Sequence, residues 1–118
     1  MLKVKSLLIL GILFQTIAYA DDGIYNTINS GRQTVTTNGT EVQLSSTSTP
    51  CTRVVITAET DNTNPVTVGG ADVVGALATR KGIPLSAGSS ITVRTNNLNK
   101  IWIDSVTDTE GVSYIYYL

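Results

Sequence analysis

Beyond its first twenty residues, this chain never spaces its apolar side chains for a helix. Short runs instead alternate apolar and polar residues, and Gly, Pro, Asn or Asp interrupts them every few positions. A period of two gives an extended strand one apolar face, and the interrupting residues are those that make turns. Residues 21–118 hold 17 Thr, 9 Ser and 8 Asn. Thr is stiff at its branched Cβ and suits strands. The pattern specifies an all-β fold: an antiparallel β-sandwich of about eight short strands, with a jelly roll as the candidate topology.

The strands read as follows. Residues 33–37 (QTVTT) and 40–44 (TEVQL) flank Asn38-Gly39, a strong hairpin signal because both turn residues of a type I′ turn need positive φ. Residues 52–58 (TRVVITA) make the best core strand. Shorter strands are expected at 66–68, 71–74, 83–85, 90–95, 100–104 and 112–117. Pro84 puts the 83–85 strand on a sheet edge, since proline cannot donate to a ladder. Alternation assigns Val54, Ile56 and Ala58 to the core, with Val66, Val68, Ile91, Val93, Ile101 and Ile103.

The N-terminus is a targeting segment. Lys3 and Lys5 precede the uncharged run Ser6–Ala20, which ends in Ala18-Tyr19-Ala20. This is a secretory signal peptide in all three parts, with cleavage expected after Ala20. The competing reading is a retained membrane anchor, although a span takes about 20 apolar residues. The chain therefore divides into a signal segment (1–20), an arm (21–30) and a sandwich domain (31–118). Export to the periplasm, the medium or a virion follows.

Composition removes most of catalysis. The chain has no His and a single Cys, Cys51. That excludes His-based triads, His general bases and Cys–His zinc sites. Without a neighbouring base Cys51 reads as a buried apolar side chain, with a disulfide between two chains as the alternative. No catalytic residue, metal ligand set or cofactor is expected. The net charge of −1 offers no footprint for nucleic acid. Glu59, Asp61, Asn62 and Asn64 make an oxygen-rich loop that lacks the glycine and distal glutamate of a calcium loop, so they read as turn formers. Asp104 and Asp108 read likewise. Arg80, Lys81 and Arg94 read as solvated charges rather than a patch for an anionic surface.

Several segments, in this order and spacing, carry a resemblance. They are GRQTVTTNGTEVQL (31–44), TPCTRVVITA (49–58), VTVGGADVV (66–74), KGIPLSAGSSITV (81–93), NLNKIWIDSV (97–106) and EGVSYIYY (110–117). Together they resemble a small β-rich domain of bacteriophage structural proteins, found in virions, fibres and decoration proteins. The resemblance implies a non-enzymatic role in assembly, with partners that are copies of this chain or other virion proteins. The export signal departs from that pattern, and a membrane-containing or membrane-extruded virion would reconcile the two. If uncleaved, residues 1–20 would add membrane contact. The rival function is an adhesive or carbohydrate-binding module at a bacterial surface.

The contact surface is expected at the C-terminus. Ile101 and Ile103 share one face, so Trp102 takes the other. In 112–117 both faces carry apolar or aromatic residues. As sequence neighbours these two strands are expected to pair as a hairpin, placing Trp102 beside Tyr114, Tyr116 and Tyr117. Aromatic residues of this kind anchor interfaces. In the alternative, Ile24 and Tyr25 of the arm fold back over the patch.

Overall fold

The computed structural model describes residues 27–118. The signal segment and Ile24 and Tyr25 of the arm lie outside the described residues. Eight strands follow one another: β1 (Ile28–Thr34), β2 (Val42–Gln43), β3 (Arg53–Ala58), β4 (Val66–Gly69), β5 (Ile83–Leu85), β6 (Ser90–Arg94), β7 (Trp102–Ser105) and β8 (Gly111–Tyr117). They build two antiparallel sheets, ordered β1-β8-β3-β6 and β2-β7-β4-β5.

A nested set of pairs generates this order. The first strand pairs with the last, the second with the seventh, the third with the sixth and the fourth with the fifth. The chain is one long ladder folded at β4–β5. Rolling the ladder up sets β8 against β3 and β7 against β4. The result is the jelly roll that the sequence offered as its candidate topology. β1–β8 and β2–β7 keep one register, with Ile28 opposite Tyr117 and Val42 opposite Ile103. The hydrogen bonds Val35 N–H to Glu110 O and Leu44 N–H to Ile101 O, both 2.8 Å, carry that register across the gap between them.

Burial follows the alternation. β3 alternates without a break, with Val54, Ile56 and Ala58 fully buried. Val66, Val68, Ile101 and Ile103 join them from the second sheet, and Ile91 and Val93 pack against this cluster half-buried. Every side chain assigned to the core from the sequence therefore lies in it or against it.

Three pairing expectations are corrected. Asn38-Gly39 does not close a hairpin: its flanking strands lie in different sheets. Of the two residues only Gly39 has positive φ, at +75°, so the turn is not type I′. The long-range ladder wins because β1 gains seven paired residues on β8, whereas a local hairpin would have left Val35 and Leu44, now buried, outside the core. β7 and β8 likewise fall in separate sheets, because each side of the roll takes one strand of every consecutive pair in this region. Residues 71–74 form no strand; only Val74 bridges to Lys81. Also, β1 begins at Ile28, inside the stretch read as an arm.

Side chains fix the crossovers between sheets. Buried Glu110 accepts from the Thr63 hydroxyl at 2.7 Å and from the Thr63 N–H at 2.9 Å. Asn62 pairs both ways with the Gly111 backbone, donating at 2.9 Å and accepting at 3.0 Å, as a strand neighbour would. Asn97 accepts from Thr49 N–H and Asn99 N–H and so caps the turn Leu98–Lys100. Asp108 accepts from the backbone N–H of Asn38 at 2.7 Å and from its side-chain amide at 2.8 Å. The backbone bond first, then the amide, holds the Asp108 carboxyl below its ordinary value. Any stability this adds is therefore present above the ordinary carboxylate pKa and lost as pH falls through the lowered one. In Asn38→Ala the Asp108 titration, followed by NMR, should move upward but only part of the way, because the backbone donor remains.

Candidate functional site

Among the described residues no group of three or more His, Cys, Asp or Glu stands close enough to hold a metal ion. In the oxygen-rich loop read as turn formers, Asn62 bonds to the Gly111 backbone, Asn64 donates to the Thr107 hydroxyl at 2.6 Å, and Glu59 is paired with Arg32 and Ser113. Cys51 is buried and its Sγ lies 3.4 Å from the Thr95 carbonyl. Burial pushes its thiol pKa up. Both observations oppose a disulfide between chains. A thiol reagent should label Cys51 at least tenfold more slowly in the folded protein than in denaturant, since the thiolate is the reactive form.

The candidate site is a surface, the outward face of the β1-β8-β3-β6 sheet. Register partners on adjacent strands share a face, so the pairings define its rows. One row runs Ile28, Tyr117, Arg53, Arg94. The next runs Ser30, Ile115, Val55, Thr92, and the third Arg32, Ser113, Thr57, Ser90. Ile28 is 56% exposed and Ile115 39% exposed. Val55 and Tyr117 beside them are half-buried. Small side chains at Ser30 and Ser113 hollow this face into an open groove of about 570 Å³, which Val55 and Ile115 also line.

The polar groups around it are fixed. The Arg53 guanidinium stands 4.5 Å over the Tyr117 ring, a cation–π contact that also keeps both side chains flat on the sheet. Arg32 pairs with Glu59 at 3.4 Å, and the Ser113 hydroxyl donates to the same carboxylate. Thr57 and Ser90 hydroxyls bond across the strands at 2.6 Å.

The four aromatic residues expected to form one patch are not brought together. Tyr117 lies on this outer face. Tyr114 and Tyr116 share the opposite, inward face and pack against the core, their rings 6.1 Å apart. Tyr114 crosses over Gly31 on β1, and an added Cβ there would stand 2.5 Å from its ring carbon Cζ. Its hydroxyl donates to the Leu44 carbonyl at 3.4 Å, closing one side of the sandwich. Burial, then Tyr116, pushes its phenol pKa up. Trp102, half-buried, lies on the outer face of the other sheet between Gln43 and Gly69. It faces away from sheet β1-β8-β3-β6. Sequence reasoning did not single out Ile28, Val55 and Ile115, which the structure leaves exposed or half-buried on this face. Their signal was present: each is an apolar residue in the polar phase of its own strand.

The outer face around Trp102 is partly roofed. Thr67 and Asp104, register partners in β4 and β7, point outward yet are 0% and 2% exposed. The connection from Gly70 to Lys81 crosses them, and Gly75 N–H donates to Asp104 Oδ2 at 2.8 Å. Gly75 sits so close that an added Cβ would lie 3.1 Å from the β7 backbone. This strap roofs the second sheet over Thr67 and Asp104, whereas the first sheet's outer face has no such cover among the described residues.

No protein-family model matches the chain, and neither the curated proteins nor the solved structures include a significant match to it.

Proposed function

We propose that this protein is an exported, non-enzymatic structural component of a phage-like virion, a decoration or surface module that acts by joining protein chains. The observation that carries the reading is the outer face of the β1-β8-β3-β6 sheet. Its centre is apolar, its rim is polar, and the equivalent face of the other sheet is covered by the chain's own strap. A half-solvated sheet ordinarily turns polar residues to water, and a contiguous apolar centre with a polar rim is the anatomy of an interface. Two features support the virion setting: the jelly roll, an architecture of viral capsid domains, and the resemblance of the segments quoted above to phage structural proteins. A signal segment before the domain agrees with partners met outside the cytoplasm.

Ile115→Asp tests the reading, since it puts a charge at the centre of the face and leaves the core untouched. Assembly, read as oligomer mass by sedimentation or as incorporation into virions, should fall at least tenfold, while the near-ultraviolet circular dichroism stays unchanged. A tenfold loss corresponds to about 1.4 kcal/mol, well within what an interface anchor supplies. Unchanged assembly in a folded variant would place the interface elsewhere.

A second reading has its own support. Ser30, Arg32, Thr57 and Ser113 give the groove the hydroxyls and cation that a carbohydrate-binding module uses, and lectins share the jelly roll. Glycan binding that is lost in Arg32→Ala, with assembly intact, would favour it.

A further inference from the structure

Arg53 and Arg94 stand opposite each other in register, and both point away from the core, because their neighbours Val54 and Val93 form the inward pair. Arg94 is exposed. Glu59, the carboxylate at the groove, is already held by Arg32 and Ser113. Two residues along the strands from the arginines, a distance of about 7 Å, the next row sets Ile115 opposite Val55. The outer face therefore presents an apolar row with a cationic row one step away.

The chain ahead of the described residues has the complementary pattern. Residues 21–26 read DDGIYN, with two acids and no base. In an extended segment alternate residues share a face, so Asp22 and Ile24 would lie on one side about 7 Å apart. That is the spacing between the cationic and apolar rows. Reach excludes the same contact on the segment's own sheet. The Thr27 carbonyl accepts from Leu118 N–H at 3.0 Å, so the chain still follows the β1 axis one residue beyond the row of Ile28 and Tyr117. From Thr27 the space between Ile115 and Val55 is about 12 Å away, three residues along the strand and one to two strands across. Ile24 is three residues from Thr27, a reach of about 10 Å before any turn.

We propose that residues 21–26 of one copy lie along the outer face of the β1-β8-β3-β6 sheet of a second copy, with Ile24 in the groove between Ile115 and Val55 and Asp22 at Arg53 and Arg94. The inference rests on the reading of this face as the assembly surface and names what occupies it. Each copy offers one arm and one receiving face, so two copies exchange arms about a two-fold axis. The second contact is then intramolecular, which strengthens a pair of contacts that are weak singly.

A mixing experiment on the exported protein tests this. Ile24→Ser spoils the arm and keeps the face; Ile115→Asp spoils the face and keeps the arm. Each variant alone should self-associate at least tenfold more weakly than the unaltered protein by sedimentation. Unlabelled Ile115→Asp protein, added to methyl-labelled Ile24→Ser protein and followed by NMR, should shift the methyls of Ile28, Val55 and Ile115 saturably and leave those of Val68 and Ile103 in place. Asp22→Asn in the added protein should weaken that binding at least threefold. The dispersion of the methyls reports that each variant is folded. Undiminished self-association of Ile24→Ser protein, with loss in Ile115→Asp protein, would overturn the arm as occupant and leave the face as an interface of another kind. No saturable shift on mixing would overturn the proposal. So would the same shifts in unaltered protein too dilute to self-associate, since the arm would then cover its own face. Undiminished self-association of a folded Ile115→Asp protein would overturn the arm and the assembly surface together.

Discussion

Replacing Gly82 with alanine should cost about 3–5 kcal/mol, the sum of left-handed strain and overpacking at one position. Gly82 has φ +118°, a conformation that residues with a Cβ rarely adopt. An added Cβ would stand 2.6 Å from the Val68 carbonyl oxygen, 2.9 Å from Thr67 Cγ2 and 3.1 Å from Val73 Cγ2. The first of these is backbone in the middle of a sheet and cannot move aside. Relief would require lifting the strap or breaking the β4–β5 pairing at the fold of the whole ladder. For a domain this small the loss lowers the melting temperature by about 15 °C or more. Gly39→Ala is the control. Gly39 also has positive φ, at +75°, but nothing lies within 4 Å of the position of an added Cβ. That variant should lose only about 1–2 kcal/mol, the conformational term alone. Equal losses at the two glycines would show that the strap does not sit where the structure puts it.

Truncating Ile56 to alanine should cost about 2–5 kcal/mol, and truncating its neighbour Val55 to alanine under about 1 kcal/mol. Ile56 is fully buried in β3, which lies between β8 and β6, opposite Tyr114 on one side and Ile91 on the other. Its removal leaves a cavity between the sheets that backbone hydrogen-bonded on both flanks cannot collapse to fill. Val55 points the other way, into the outer groove, and its loss removes contacts only at the surface. Chemical denaturation with a common m-value would measure both. The pair separates the inward from the outward phase of one strand, and the proposed contact surface depends on that phase. Val55→Ala should also weaken assembly while sparing stability, the reverse of Ile56→Ala.

The strands and their faces were legible in the sequence because period-two alternation is a local property. Val54, Ile56 and Ala58 in one phase and Val55 in the other can be read from TRVVITA alone. Pairing was not legible, because a jelly roll is made of non-local ladders. Asn38-Gly39 carries a strong local hairpin signal, but β1 pairs with a strand more than seventy residues away. The hairpin expected between β7 and β8 failed for the same reason: adjacency in sequence does not decide which side of the roll a strand takes. The roof over Asp104 was invisible too. Nothing in KIWID distinguishes a solvated aspartate from one that holds Gly75 of a crossing segment. At the proposed contact surface, the aromatic count points to Tyr114 and Tyr116, which pack against the core. The more informative sign was an isoleucine, Ile115, in a phase otherwise occupied by Ser113 and Tyr117.

On our proposal, the protein meets its partners through the outer face of the β1-β8-β3-β6 sheet. A photo-crosslinking residue placed in turn at Ser30, in the groove, and at Asp72, exposed on the strap over the opposite sheet, tests it most directly. Covalent adducts, to a second copy or to a partner protein, are expected from position 30 and none from position 72. Adducts from position 72 with none from position 30 would contradict it.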